Sequence, residues 1–180
     1  ITVNGGDPTA SDTLIVNGTV GQDAIDFIPT STDAATITGA GPVPITAATV
    51  EQVVINGQGG GDDLTYISPS SEITFSPEAN PDSGTITAAP FGGTALLPMA
   101  FAGIGEYGSL TFTNSAGFRR DGLDIIGTDN DDLFKLASDG TLEIEKPAYG
   151  LPVTVPISTP GVTFLRLIGR DGDDTFQIYG

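Results

Sequence analysis

The sequence predicts an all-β chain built as a repeat, and three observations carry that expectation. Almost every segment is four to seven residues long, β-branched or aromatic, and alternates apolar with polar at period two. Thirteen prolines and 25 glycines punctuate the 180 residues too often for long helices. One unit also recurs, two short alternating stretches joined by a Gly/Asp turn. Its clearest copy is Leu165-Arg166-Leu167-Ile168, a turn through Asp171-Gly172-Asp173-Asp174, then Thr175-Phe176-Gln177-Ile178. The acids Asp12, Asp62, Asp121 and Asp174 anchor its copies at roughly 50–60 residue intervals, a period that marks repeat architectures.

The elements follow in order. Ile1-Thr2-Val3 and Leu14-Ile15-Val16 flank the first turn. Ala24 to Ile28 and Ala35 to Thr38 flank the turn Pro29-Thr30-Ser31-Thr32-Asp33, a hairpin signal. Val43 to Thr46 and Val50 to Ile55 lead into the second Gly/Asp turn, which exits through Leu64-Thr65-Tyr66. Glu72 to Ser76, a turn at Asn80-Pro81-Asp82-Ser83-Gly84, and Thr85-Ile86-Thr87 form a second hairpin. After a Gly/Pro-rich excursion from Pro90 to Leu97 come Met99 to Ala102, Leu110 to Asn114 and Gly122 to Ile126. A third hairpin turns at Ser138-Asp139-Gly140, and Leu151 to Val155 and Val162 to Ile168 complete the set.

At each Gly/Asp joint the apolar positions match: Ile1/Val3, Val53/Ile55, Leu110/Phe112 and Leu165/Leu167 before it, and Leu14/Val16, Leu64/Tyr66, Leu123/Ile125 and Phe176/Ile178 after it. Units stacked in register would point these toward one interior, and a single unit has nothing else to cover its apolar face. The expected architecture is a β-solenoid or β-helix-like stack of repeats 12–62, 63–121 and 122–174, with hairpins projecting from it. A β-sandwich built from the same hairpins is the alternative. The chain begins and ends at nearly the same phase of the unit, and uncapped terminal strands invite pairing with neighbours. The expected partners are therefore copies of the chain or adjacent modules of a longer array.

Charge and composition exclude several functions. Six Lys and Arg against 23 Asp and Glu give a net charge of −17, which argues against nucleic acid and anionic membranes as partners. Cysteine and histidine are absent, which removes disulfides, zinc–thiolate sites and imidazole catalysis. No apolar run of transmembrane length occurs.

The stretch Gly169-Arg170-Asp171-Gly172-Asp173-Asp174-Thr175-Phe176-Gln177 resembles the RTX, or haemolysin-type, nonapeptide G-G-x-G-x-D-x-U-x. Those beginning at Gly18, Gly57 and Gly127 are similar, each isolated by tens of residues rather than in tandem. The resemblance implies Ca2+ held between stacked turns by carboxylate and carbonyl oxygens. It carries the ligand role to Asp23, Asp62, Asp132 and Asp174, with Asp131, Asp171 and Asp173 beside them. A structural account of the same turns needs only glycine's positive φ and an aspartate capping its own turn. The wider resemblance, to repeat regions of large bacterial surface proteins and adhesins, implies an extracellular, cell-surface location.

Other chemistry is sparse. Glu143 and Glu145 alternate onto one strand face, the carboxylate pair that glycoside hydrolysis requires, although Lys146 beside them suits a solvated face equally. The expectation is a non-enzymatic module that builds a stalk, fibre or surface layer by end-to-end stacking, stiffened by calcium. A domain that binds glycans or surfaces through its hairpin tips is the alternative, and a carbohydrate-active β-helix enzyme the third reading.

Overall fold

A computed structural model describes residues 1–6, 11–69, 72–78, 80, 82–105, 107–114, 122–145 and 156–180. Among them there is no helix. The strands are, in chain order, β1 (Thr2–Asn4), β2 (Thr13–Asn17), β3 (Ala24–Pro29), β4 (Ala35–Thr38), β5 (Ile45–Ala48) and β6 (Gln52–Asn56). There follow β7 (Asp63–Ser68), β8 (Glu72–Pro77), β9 (Gly84–Ala89), β10 (Met99–Ala102), β11 (Ser109–Asn114) and β12 (Gly122–Ile126). The last are β13 (Leu133–Leu136), β14 (Leu142–Glu145), β15 (Ile157–Ser158), β16 (Phe164–Ile168) and β17 (Thr175–Ile178). The expected strand at Leu151 to Val155 lies outside the described residues.

The strands form two mixed sheets. One has ten strands in the order β1-β5-β4-β3-β7-β11-β15-β14-β13-β17, the other seven in the order β16-β12-β8-β9-β10-β6-β2. Strands that carry equivalent parts of the sequence lie parallel and in register. Leu14 and Val16 sit beside Val53 and Ile55, which sit beside Met99 and Phe101. Across the interior, Ile25 lies beside Leu64 and Leu64 beside Leu110. Period-two alternation turns these residues to one face, and they are the buried ones: Ile25, Val53, Ile55, Leu64, Met99, Phe101 and Leu110.

The hairpins do not project. β4 lies between β3 and β5, β9 between β8 and β10, and β14 between β13 and β15. Each hairpin and the strand after it thus make a three-stranded meander inside a sheet. A free two-stranded hairpin is marginal in water, whereas here Ile37, Ile86 and Leu142 are completely buried.

The core lies between the sheets. On the ten-stranded side Phe27 stacks on Tyr66 at 5.6 Å, and Tyr66 meets Phe112 at 6.5 Å. Phe112 then crosses to Phe75 of the seven-stranded sheet at 5.6 Å, and Phe75 stacks on Phe101 at 5.9 Å. These five rings tie both layers together at separations where aromatic pairs add to their burial. Short reversals carry the chain between the layers, and four of those that run from the seven- to the ten-stranded sheet, 18–23, 57–62, 127–132 and 169–174, hold the Gly/Asp motif.

Candidate functional site

The Gly/Asp turns are corners built on one rule, a glycine followed five residues later by an aspartate. In the corner 18–23, the Thr19 N–H donates to Asp23 Oδ2 at 2.6 Å, and the Thr19 hydroxyl donates to the same oxygen at 3.0 Å. The corner 127–132 repeats this: Thr128 N–H donates to Asp132 Oδ2 at 2.6 Å, with the Thr128 hydroxyl at 3.1 Å. The carboxylate folds back over the glycine. A Cβ on Gly18 would lie 2.8 Å from Asp23 Oδ2, and one on Gly127 2.6 Å from Asp132 Oδ2. The spacing therefore requires glycine for room, not for φ, since neither residue has positive φ.

Corners also bond to each other. The Asp23 N–H donates to Asp62 Oδ1 at 2.9 Å, and the Asp132 N–H to Asp174 Oδ1 at 3.0 Å, bonds that span 39 and 42 residues. Asp173 N–H donates in turn to Asp131 Oδ1 at 2.8 Å. The seven acids singled out in the sequence thus fall into two places. Asp23 and Asp62 stack in one column, and Asp131, Asp132, Asp171, Asp173 and Asp174 share the corner pair 127–132 and 169–174. Asp12 belongs to a different corner, between β1 and β2, where its N–H donates to Glu51 Oε2 at 2.6 Å. Asp121 and Lys146 lie outside the described residues.

A corner without aspartate escaped the sequence reading. The turn 103–108 stacks on 57–62 through Gly57 N–H to the Ala102 carbonyl, Gly59 N–H to Gly103 and Asp62 N–H to Ile104, at 2.9, 2.6 and 2.7 Å. Gly108 stands where Asp62 stands one layer away, and the surviving signal was the five-residue interval from Gly103 to Gly108. Asp62 is consequently sandwiched between two corners.

Asp62 is the anomaly of the set. It is completely buried, its Oδ1 accepts the Asp23 N–H, and its Oδ2 has no hydrogen-bond partner among the described residues. In the corners 18–23 and 127–132 that oxygen accepts an N–H. Here Gln58 N–H turns instead to Asn56 Oδ1 at 3.2 Å, with Gln58 at φ 66°. Burial pushes the Asp62 carboxyl above its ordinary value against the opposing Asp23 N–H, and the charges of Asp23 and Asp63 push the same way as burial.

The donor set is oxygen-only, the kind a hard cation takes. Among the described residues, however, no group of three acidic side chains is placed to hold a metal ion. Oxygens of Asp23, Asp62, Asp131, Asp132 and Asp174 are already engaged by N–H donors of the corners. Each carboxylate acts as an internal anion for backbone N–H groups, which leaves fewer lone pairs for an ion.

Glu143 and Glu145 lie on the outward face of β14 with Lys135 of β13. Lys135 pairs with Glu145 and sits opposite Glu143 in register. The bond to Glu145 holds the Lys135 ammonium above its usual value. No protein family, curated protein or solved structure matches this chain.

Proposed function

We propose that the chain is a non-enzymatic structural module of an extracellular bacterial surface protein, a β-solenoid-like stack that extends end to end into a stalk, fibre or surface layer. The observation that carries this reading is the parallel, in-register stacking of equivalent units. Among the described residues the ten-stranded sheet runs from β1 to β17. Large apolar side chains are open on β17, with Phe176 46% and Ile178 73% exposed. A sheet edge that carries exposed apolar side chains is a template for a further strand. The partners are neighbouring copies or adjacent modules of an array. The Lys135 pairing supports the non-enzymatic part, because it places a cation against the Glu143/Glu145 pair. The extracellular location rests on the resemblance to RTX repeats and to the repeat regions of bacterial surface proteins.

Sedimentation velocity and electron microscopy across a concentration series test the reading. Rods that lengthen with concentration, and that Ile178→Asp abolishes, are expected. A monomer at every concentration would overturn it. Calcium enters this reading on the RTX resemblance alone, at the corner pair 127–132 and 169–174, where Asp131, Asp171 and Asp173 are exposed and backbone carbonyls would have to complete the oxygen shell. Calorimetric titration of chelator-stripped protein checks that part separately: heat and a raised melting temperature are expected, and their absence removes calcium while leaving the stacking intact.

A further inference from the structure

The outward face of the seven-stranded sheet holds a trough that the stacking account does not use. β8, β12 and β16 run parallel there, with Glu72, Gly122 and Phe164 aligned in one row and Thr74, Asp124 and Arg166 in the next. Gly122 contributes no side chain, so the row is interrupted between a carboxylate and an aromatic ring. Those two stand on strands either side of β12, roughly 10 Å apart at the backbone from two inter-strand spacings. The resulting trough has a volume of about 500 Å³, within the range of small-ligand sites.

Its walls are chemically distinct. Arg166 grips Asp124 in a bidentate pair, its Nε donating to Oδ1 at 2.9 Å and its Nη2 to Oδ2. This fixes a planar array with donors and acceptors side by side. The Glu72 carboxylate is exposed, has no side-chain hydrogen bond or ion pair among the described residues and lies within electrostatic reach of Arg166, so its oxygens remain available as acceptors. Phe164 is 58% exposed, a large apolar face presented to water on a strand whose inward residues are Leu165 and Leu167.

We infer that this trough binds a neutral pyranose residue of a glycan. A sugar ring offers hydroxyls that donate to Glu72 and Asp124 and accept from the guanidinium N–H groups of Arg166. It also offers a face of C–H groups that covers Phe164. Each feature of the trough then has a counterpart. A carboxylate sugar would meet the net negative charge that Glu72 and Asp124 leave beside the single cation of Arg166, and an ammonium sugar is the competitor that the titration below compares. The site stands on the sheet face, so it does not depend on whether copies stack at their edges.

The test is an amide NMR titration of the isotope-labelled chain with cellohexaose and mannohexaose, with chitosan hexamer and galacturonate hexamer as cationic and anionic comparisons. A neutral hexamer is expected to shift the resonances of Gly122, Asp124, Phe164 and Arg166 below about 10 mM, the weak range for one exposed sugar subsite. Phe164→Ala is expected to weaken binding at least about fivefold through lost apolar contact, and Glu72→Gln by a similar factor through a lost charged acceptor. Glu72 is exposed, so Glu72→Gln should leave the melting temperature unchanged, and the amide spectrum of the free Phe164→Ala variant shows whether its fold is kept. No shift with either neutral hexamer, shifts confined to other residues, or tighter binding of chitosan or galacturonate would each overturn the inference.

Discussion

Replacing Asp62 by Asn should stabilise this protein at neutral pH, although it removes the acid from one of its RTX-like turns. Asp62 Oδ1 holds the Asp23 N–H, and Asn keeps that acceptor. The buried Oδ2, which has no partner among the described residues, becomes an amide that need not carry charge. A charged acceptor buried without a partner costs more than the roughly 1–3 kcal/mol of a neutral one, while the unpaired N–H groups of the amide and the weaker bond to the Asp23 N–H take back part of that gain. The net expectation is about 1 kcal/mol in favour of Asn at pH 7. The pH dependence has a definite sign. Burial raises the folded-state value above 3.8, so the wild type loses stability as pH rises through the interval above 3.8, and the Asp62→Asn variant does not. Urea denaturation of both proteins in chelator, from acid to neutral pH, reads the difference directly. Charge repulsion among the other acids cancels in the comparison. An advantage for Asn that is absent at pH 7, or constant with pH, would refute the account of Asp62 as a buried, partly unsatisfied carboxylate.

Further outcomes follow from the same geometry. Tyr66 is fully buried and its hydroxyl has no partner among the described residues, so Tyr66→Phe should raise stability by about 1 kcal/mol in the same denaturation assay. Gly57→Ala places a Cβ against Asp62 Oδ2 and 2.6 Å from the Gly103 carbonyl, and should cost about 2 kcal/mol through overpacking. Gly21→Ala, whose Cβ would meet only the Thr19 hydroxyl at 3.7 Å, should stay within about 0.5 kcal/mol. Phe176 stacks on Phe134 at 5.0 Å but is 46% exposed, so Phe176→Ala should cost about 2 kcal/mol, roughly half a full burial.

Much of this fold is visible in the sequence because its strands are short, alternate strictly and are separated by turn residues. Val53 and Ile55, Leu64 and Tyr66, and Leu123 and Ile125 read as inward-facing pairs and are buried, whereas Ile1, Phe176 and Ile178, read the same way, are exposed on the outermost strands of the ten-stranded sheet or beside them. The hairpin turns near Pro29 to Asp33 and Ser138 to Gly140 stand where the turn chemistry puts them. Among the corners, Gly18/Asp23, Gly57/Asp62, Gly127/Asp132 and Gly169/Asp174 are legible because the carboxylate must fold over a residue without Cβ. The corner 103–108 is not, since Gly108 takes the acid's place and leaves only its spacing. The trough on the sheet face was also invisible. Glu72, Gly122 and Phe164 are far apart in the chain, and only the parallel register of β8, β12 and β16 aligns them.

What the sequence could not specify is the sheet to which each meander belongs. The meander β3-β4-β5 lies in the ten-stranded sheet, β8-β9-β10 in the seven-stranded sheet, and β13-β14-β15 in the ten-stranded sheet again. Both sheets turn one period-two face to a shared core, so the local pattern of Ile73-Thr74-Phe75 is indistinguishable from that of Ile25-Asp26-Phe27. The two meanders differ instead in their aromatic neighbours. Phe75 closes on Phe101 and Phe112, while Phe27 closes on Tyr66. A consequence is that anchor acids evenly spaced in sequence need not share a column. Asp62 stacks with Asp23 rather than with Asp12, because the corner of Asp12 runs from the ten- to the seven-stranded sheet and those of Asp23 and Asp62 run the other way. Spacing along the chain measures the length of the intervening meander, and only the interval from glycine to aspartate within a corner measures geometry.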